Sequence, residues 1–389
     1  MPKFDFNNSL YARFFADKSN QNFLQTFINT EGVLTANYGW YKTQGRKASA
    51  ATPVDASGVA TFTVKARAVE AAPMMDLRAP LGDTNQMDSN GIDFYTGTIP
   101  NFSAPGWTET AMEREQRERM FEIFGNDADL VAEWVSRLQF QIDAKDTTLN
   151  NITAQIMSTG AIDYSSIGRG LRMKLHKADI PTENFVKAGT KVWTAADCAI
   201  LSQMKEIETA YRDKRSYTGA LVWQMPRKMY YDVFLKNKEV KELVKNFRTL
   251  NYIASTDEMP ISDSQFKAAF VDYEGVSPIE VVTEKQRNLT HSKDVFIHGW
   301  KENVAVLRPA GDAVEFEYTD NLDRKLFEKY GASTISKTFA ITDDGLGTIV
   351  NTTTNNGMYK EWHTDLFMSA IPALIHFPDH LIVDTTTAG

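Results

Sequence analysis

The strongest constraint on this chain is one long helix written between Gly125 and Gly160. Gly125 breaks the chain, Asn126 can cap, and Asp127 and Asp129 fall in the first turn, where the positive end of the helix dipole favours acids. Apolar residues recur at Val131, Trp134, Val135, Leu138, Ile142, Leu149, Ile152 and Ile156, returning to one face of a helix. Thr159-Gly160 supplies the stop. Over 127–158 such a helix is roughly 48 Å long. The stripe keeps no heptad register, which predicts a rod within a folded protein and not a coiled coil.

What surrounds the rod is bounded by composition. With 389 residues the chain exceeds one ordinary core and implies two sub-domains or one subdivided fold. Hydrophobic residues at 42% and charged residues at 24% place it among folded globular proteins. The net charge of −8 writes no general attraction to nucleic acid into the balance. The nearest basic cluster is Arg169, Arg172, Lys174 and Lys177, flanked by Asp163 and Asp179. A single cysteine, Cys198, excludes an internal disulfide and any multi-thiolate metal site, and its apolar helical setting predicts a buried, inert thiol. The first residues lack the basic-then-apolar pattern of a signal peptide. No run approaches the ~18 apolar residues that span a bilayer.

Ahead of the rod, residues 1–57 carry aromatics such as Phe14, Phe15, Phe23, Phe27, Tyr38 and Trp40 with little periodicity, a segment that must pack on something else. Ala60–Ala68 alternates strictly as a strand, and Ile92–Ile99 returns as a second. Two strands alone are marginal in water, so this excursion needs external support. Thr108–Glu122 is a mixed-charge helix whose side chains pair three and four residues apart. After the rod, Arg169–Lys191 reads as extended and basic. Helices follow over Ala195–Lys214, from Pro226, and around Val240–Phe247, with a strand at Tyr217–Trp223. Extended runs are predicted at Phe266–Val271, Ile279–Thr283, Val295–His298, Val304–Leu307, Val314–Tyr318 and Ile335–Ile341, and again at Ala373–Val383 around Pro378. The mixture indicates an α+β fold.

Catalytic signatures are sparse. Asp343-Asp344-Gly345-Leu346-Gly347-Thr348 starts like a phosphate loop but lacks both the third glycine and a Lys-Ser/Thr pair, so it reads as a β-turn. His291, Asp294 and His298 lie along an apparent strand, where offsets of three and four residues alternate faces. His376 and His380 flank a proline turn. No nucleophile elbow, His-Glu-x-x-His pair or Cys-x-x-Cys spacing occurs. Catalytic, cofactor-binding and metal-binding residues are therefore all expected to be absent.

The order of elements resembles the Hong Kong 97-type capsid fold of tailed-phage major capsid proteins, in the branch similar to lambda-type head proteins. The resemblance rests on Ala72–Gly82 through Ile99-Pro100-Asn101-Phe102, on the rod's end Gln155–Gly160, and on Glu361–Asp365 with Ala373–Val383. It implies an N-terminal arm (1–57), an extended loop (58–107), a peripheral domain (108–192 and 331–389) with spine helix 127–158, and an axial domain (193–330). It further implies self-assembly into hexamers and pentamers of an icosahedral shell around double-stranded DNA, formed in the host cytoplasm and ending in the virion. Expected partners are a scaffolding protein, a portal, possible decoration proteins, and packaged DNA by weak non-specific contact, with no membrane. Subunit-interface candidates are Phe14, Phe15, Met74, Met75, Leu77, Leu81 and Met87, because methionine-rich surfaces adapt to slightly different neighbours. The loop offers only Lys65, near its base, for the crosslink that some relatives make. Rival expectations are a tail tube or decoration protein, which are usually shorter and mostly β, and a soluble hydrolase with its site in 193–330.

Overall fold

A computed structural model describes residues 18, 19, 22, 45–47, 60–65, 94–104, 106–110, 112, 113, 115, 116, 119, 127–164, 175–215, 217–250, 261–271, 273, 275–283, 298–319, 335–341, 347–356 and 359–389. In chain order the first strands are β1 (Gly45–Lys47), β2 (Ala60–Lys65), β3 (Phe94–Ile99), β4 (Asn101–Ser103) and β5 (Trp107–Glu109). Helix α1 (Asp127–Thr159) leads to β6 (Ala161–Asp163), β7 (Leu175–Lys177) and β8 (Phe185–Ala188). Then come α2 (Ile200–Arg215), β9 (Leu221–Pro226), α3 (Lys238–Leu250) and α4 (Asp263–Phe270). The remainder is β10 (Ile279–Val282), β11 (Val304–Pro309), β12 (Val314–Tyr318), β13 (Ile335–Ile341), β14 (Gly347–Asn356), β15 (Tyr359–Leu374) and β16 (Leu381–Ala388). The chain is α+β.

Helix α1 runs one residue past the expected rod, and Gly160 ends it at φ +69°, its N–H returning to the Ile156 carbonyl at 2.9 Å. Early in the described helix burial is one-sided: Leu138, Gln141 and Ile142 are covered while Ser136 and Phe140 are exposed. From Leu149 to Ser158 every residue is buried. That stretch is rich in polar residues, and several satisfy one another locally. Thr153 Oγ1 donates to the Leu149 carbonyl (2.7 Å), Ser158 Oγ to that of Ala154 (2.8 Å), and Gln155 Nε2 to Asn151 Oδ1 (2.9 Å). Two also reach outward: Gln155 Oε1 accepts the Asp163 N–H and Ser158 Oγ accepts that of Lys301. The rod is thereby wired to the segments that surround it.

Strand β15 lies along the rod, where Gln141 Nε2 donates to the Thr364 carbonyl at 3.0 Å. It is the hub of a seven-stranded sheet ordered β1-β12-β15-β14-β13, with β4 and β5 also paired to it. β1, from the segment expected to need a packing partner, pairs parallel with β12 of the same chain, Gly45 opposite Phe316. A five-stranded sheet, β10-β9-β11-β16-β8, mixes segments far apart in sequence. It separates two hydrophobic cores. In β11, Val304 and Val306 join the core that holds the end of α1, while Ala305 and Leu307 join a second core with α2, α3 and α4. β16 repeats the division, with Ile382 on one side and Leu381 and Val383 on the other. A strand covered on both faces needs apolar residues at successive positions, which is why β11 reads as a continuous run.

Several expectations are corrected: α2 starts at Ile200 and not at Ala195, so Cys198 precedes the helix, β9 runs Leu221–Pro226 and not Tyr217–Trp223, and Thr108 and Glu109 belong to β5. Phe266–Val271, expected to be extended, is largely helix: α4 spans Asp263–Phe270. Ser262 caps it by accepting the Gln265 N–H at 3.3 Å, and the Gln265 side chain accepts the Ser262 N–H at 3.1 Å. This reciprocal capping box starts a helix that Ala268 and Ala269 favour, overriding the aromatic ends of the segment. The mixed-charge segment near Thr110 uses the same device. Glu113 accepts from the Thr110 N–H at 2.9 Å and donates its own N–H to Thr110 Oγ1 at 3.3 Å. Arg119 then pairs with Glu115 one turn away, as expected of a solvated helix face.

Candidate assembly surfaces and clefts

Strands β2 and β3 form a two-stranded antiparallel stem, with Ala60 opposite Ile99 and Lys65 opposite Phe94. Phe62 lies opposite Gly97, and the Phe62 ring sits 5.8 Å from that of His176 on β7. With Ile99, Phe62 joins the core that surrounds the end of α1. Gly97 is required here. A Cβ on it would lie 2.5 Å from His176 Cε1 and 2.6 Å from the Phe62 ring, both buried and unable to yield. Gly97→Ala is expected to cost about 1–3 kcal/mol through overpacking. Hydrogen exchange of the Thr61–Thr63 amides checks it: protection falls there first and persists in β11. The excursion beyond the stem, with Met74, Met75, Leu77, Leu81 and Met87, lies outside the described residues, as do Phe14 and Phe15.

The two cores are joined by buried polar contacts that hold α1 to the five-stranded sheet. His380, fully enclosed, places Nε2 2.6 Å from the Met157 carbonyl in the last turn of α1. Arg308 on β11 donates Nε to Gln224 Oε1 at 3.1 Å and Nη1 to the carbonyls of Pro309 and Gly311 at 2.8 and 2.9 Å. Gln224 in turn donates to Glu280 on β10 at 2.9 Å. On the opposite side of the sheet, Arg215 at the end of α2 binds Asp379 at 3.2 Å and Asn184 at 2.6 Å. Of these groups His380 touches the rod, while the others tie the strands of the sheet to one another and to α2.

Two clefts flank the helical turn after β9, where Arg227–Met229 passes into a π-helical segment, Tyr230–Phe234. The larger, about 750 Å³, lies among Arg227, Tyr231, His298, Trp300 and Glu302. The smaller, about 480 Å³, is lined by Trp193, Asn237, Lys236, Lys238 and Lys241 among others, and Asp232 borders both.

No protein-family model matches the sequence, and no curated protein matches it. Solved structures do. A phage-related protein from Bordetella bronchiseptica RB50 aligns over 92% of this chain and 96% of its own, at 14% identity and a TM-score of 0.44. A capsid-protein candidate from a prophage of E. coli CFT073 aligns over 75% and 79%, at 14% identity and 0.41. The mature capsid of bacteriophage PhiM1 aligns over 88% and 87%, at 10% identity and 0.39. The chain is similar to phage capsid structures.

The residues singled out for chemistry are placed as follows. Cys198 is buried, its thiol 3.7 Å from the Lys191 carbonyl; burial, then the Glu239 and Asp197 carboxylates, push its pKa up, away from nucleophile chemistry. His380 and Asp379 are occupied in the joints described above, and His376 sits at the start of their turn. His298 lines the larger cleft, while His291, Asp294, Arg169, Arg172, Lys174 and Asp343–Leu346 lie outside the described residues. Gly347 and Thr348 open β14. Among the described residues no group of three or more His, Cys, Asp or Glu side chains is placed to hold a metal ion. None of the described helices is long and apolar enough to cross a membrane.

The residue that sequence reasoning missed is Glu208. It is 4% exposed on α2, and its carboxylate accepts Arg212 Nε and Nη2 (3.1 and 2.9 Å), Trp223 Nε1 (3.2 Å), and the Ser277 N–H and hydroxyl (2.8 and 2.6 Å). It organises the second core.

Proposed function

We propose that this chain is the major capsid protein of a tailed bacteriophage, a shell subunit of the Hong Kong 97 type that assembles into hexamers and pentamers around double-stranded DNA. The observation that carries this reading is the chain-order architecture. A two-stranded β stem precedes a 33-residue rod, an α+β unit follows, and a 16-residue closing strand returns along the rod. A stem of two strands gains little stability alone, and continuing it outward makes sense where a neighbouring subunit covers it. On this reading residues 1–57 are the arm, 58–107 the extended loop, 108–192 with 331–389 the peripheral domain, and 193–330 the axial domain at the capsomer centre. The five-stranded sheet, which draws β8 and β16 into contact with β9, β10 and β11, then serves as the weld between peripheral and axial parts.

The role is structural, the address is the virion, and the partners are further copies, a scaffolding protein, a portal, possible decoration proteins and the packaged DNA. Electron microscopy of the full chain, expressed with the products of its neighbouring genes, is the test. Closed shells or hexameric sheets are expected. Monomers at high concentration, or tubes, would overturn the reading.

A further inference from the structure

Strand β15 carries a half-buried carboxylate, Asp365, that no described residue of its own subunit matches. Thr364 and Leu366 are buried, so strand alternation sets His363 and Asp365 together on the other face. His363 is held in place, its Nδ1 2.8 Å from Thr108 Oγ1 on β5. Val350, the cross-strand neighbour of Asp365 on β14, is buried and has no side-chain donor to give. On the β5 side Asp365 fills the space that Gly106 leaves: a Cβ there would lie 1.9 Å from Asp365 Oδ1. Among the described residues the carboxylate accepts no hydrogen bond and joins no ion pair.

A carboxylate drawn out of water without a donor is a cost to the lone subunit. Burial accordingly pushes the Asp365 pKa up, and the charge of His363 works against that rise. The chain meanwhile exposes ammonium groups with no ion-pair partner among the described residues: Lys187 on β8, Lys205 on α2 and Lys241 on α3. None of them pairs with Asp365 inside the subunit. Arg227 differs, since its guanidinium lies over the Tyr231 ring at 5.7 Å. Anion and ammonium groups are therefore complementary between copies of the chain and not within one.

We propose that Asp365 is an intersubunit contact, its carboxylate receiving the ammonium group of a lysine from a second copy of this chain, beside Gly106 and His363. A lysine suits the place because its compact ammonium carries three donors on a flexible stem and can reach a carboxylate set back in a sheet. The inference rests on the shell-subunit reading, for which it names one contact. It also explains why an unmatched acid stands here: the cost borne by the free subunit is recovered when the neighbour arrives.

Asp365→Asn, which keeps the shape and removes the charge, tests it through two readouts on the full chain. The urea midpoint of the unassembled subunit is expected to match or exceed the parent's, because a desolvated charge has gone. Sedimentation should show the opposite sense, with the concentration needed for assembly raised about tenfold by loss of the charged acceptor. A purely structural Asp365 would move both readouts together. Where the partner sits is read by a carbodiimide, which joins a carboxylate to an amine in contact, applied to assemblies mixed from ordinary and heavy-nitrogen-labelled subunits. Asp365–lysine peptide pairs carrying one label from each subunit are expected, and pairs of a single label only would overturn the proposal. So would a parent and an Asp365→Asn variant that assemble equally, or a variant whose midpoint falls along with its assembly. A parent that stays monomeric overturns the shell reading and this contact together, whereas an assembling parent matched by its variant overturns the contact alone.

Discussion

Glu208→Ala should destabilise the second core by about 3–5 kcal/mol, the cost of removing one member of a buried charged pair and stranding its partners. The side chain is 4% exposed and saturated by donors from three separate elements: Arg212 one turn along α2, Trp223 on β9, and Ser277 in the turn before β10. Truncation leaves the Trp223 indole N–H and the Ser277 N–H without acceptors in an interior that water does not reach, and leaves the Arg212 guanidinium to the carbonyls of Tyr217 and Gly219 and the Ser277 hydroxyl, at 3.4, 2.9 and 3.4 Å. Glu208→Gln should cost less, about 1–3 kcal/mol, because one oxygen still accepts while the new amide faces donors. Urea transitions followed by tryptophan fluorescence give the measurement, Trp193 and Trp223 both lying in this core. A Glu208→Ala midpoint matching the parent's would show that the carboxylate is not the core's organiser.

How much of this was legible beforehand follows from the range of each interaction. The rod was visible because its signals are local: acids at the start, an apolar stripe, and a glycine at the end. The complete burial of Leu149–Ser158 was not, since Asn150, Thr153 and Ser158 look like a solvated face until their partners are known. β12 and β13 were readable from alternation and β-branched content, and each is confirmed over its expected residues. The partner of β11 was not readable, since it pairs with β16 across more than seventy residues of intervening chain. α4 was misread although Ser262 and Gln265 carried its start signal, because the aromatic residues of a short segment weigh equally toward strand. Glu208 had no sequence signal: a glutamate on a charged helix looks exposed, and only Ser277 and Trp223 reveal its role. The cleft lysines were visible as charge, yet their concavity depends on Trp193 arriving from another part of the chain.

Acidification should loosen the seam between rod and sheet, and two buried imidazoles set the pH at which it happens. His380 and His176 are both held down to about 4, in each case chiefly by burial, with the charges of Arg308 and then His376 adding to the effect at His380. The Met157 carbonyl opposes the shift at His380 by favouring a proton on Nε2, but burial prevails. In the unfolded chain both rings titrate near 6.5, so below that pH the unfolded state takes up protons that the folded state refuses until about 4. Stability therefore falls as pH drops through the window from about 6.5 to about 4, then levels off with respect to these two groups. At 1.36 kcal/mol per unit, each imidazole removes up to about 3 kcal/mol across that window. Above pH 6.5 neither contributes a slope. Chemical denaturation at half-unit intervals should show the decline, and His380→Gln, whose amide can still donate to the Met157 carbonyl, should remove close to half of it. His176→Asn should remove a comparable share and act first on the β2–β3 stem, where the ring meets Phe62 and Gly97. If both variants retain the parent's slope between pH 6.5 and 4, the acid response belongs to the carboxylates and the seam is not its sensor.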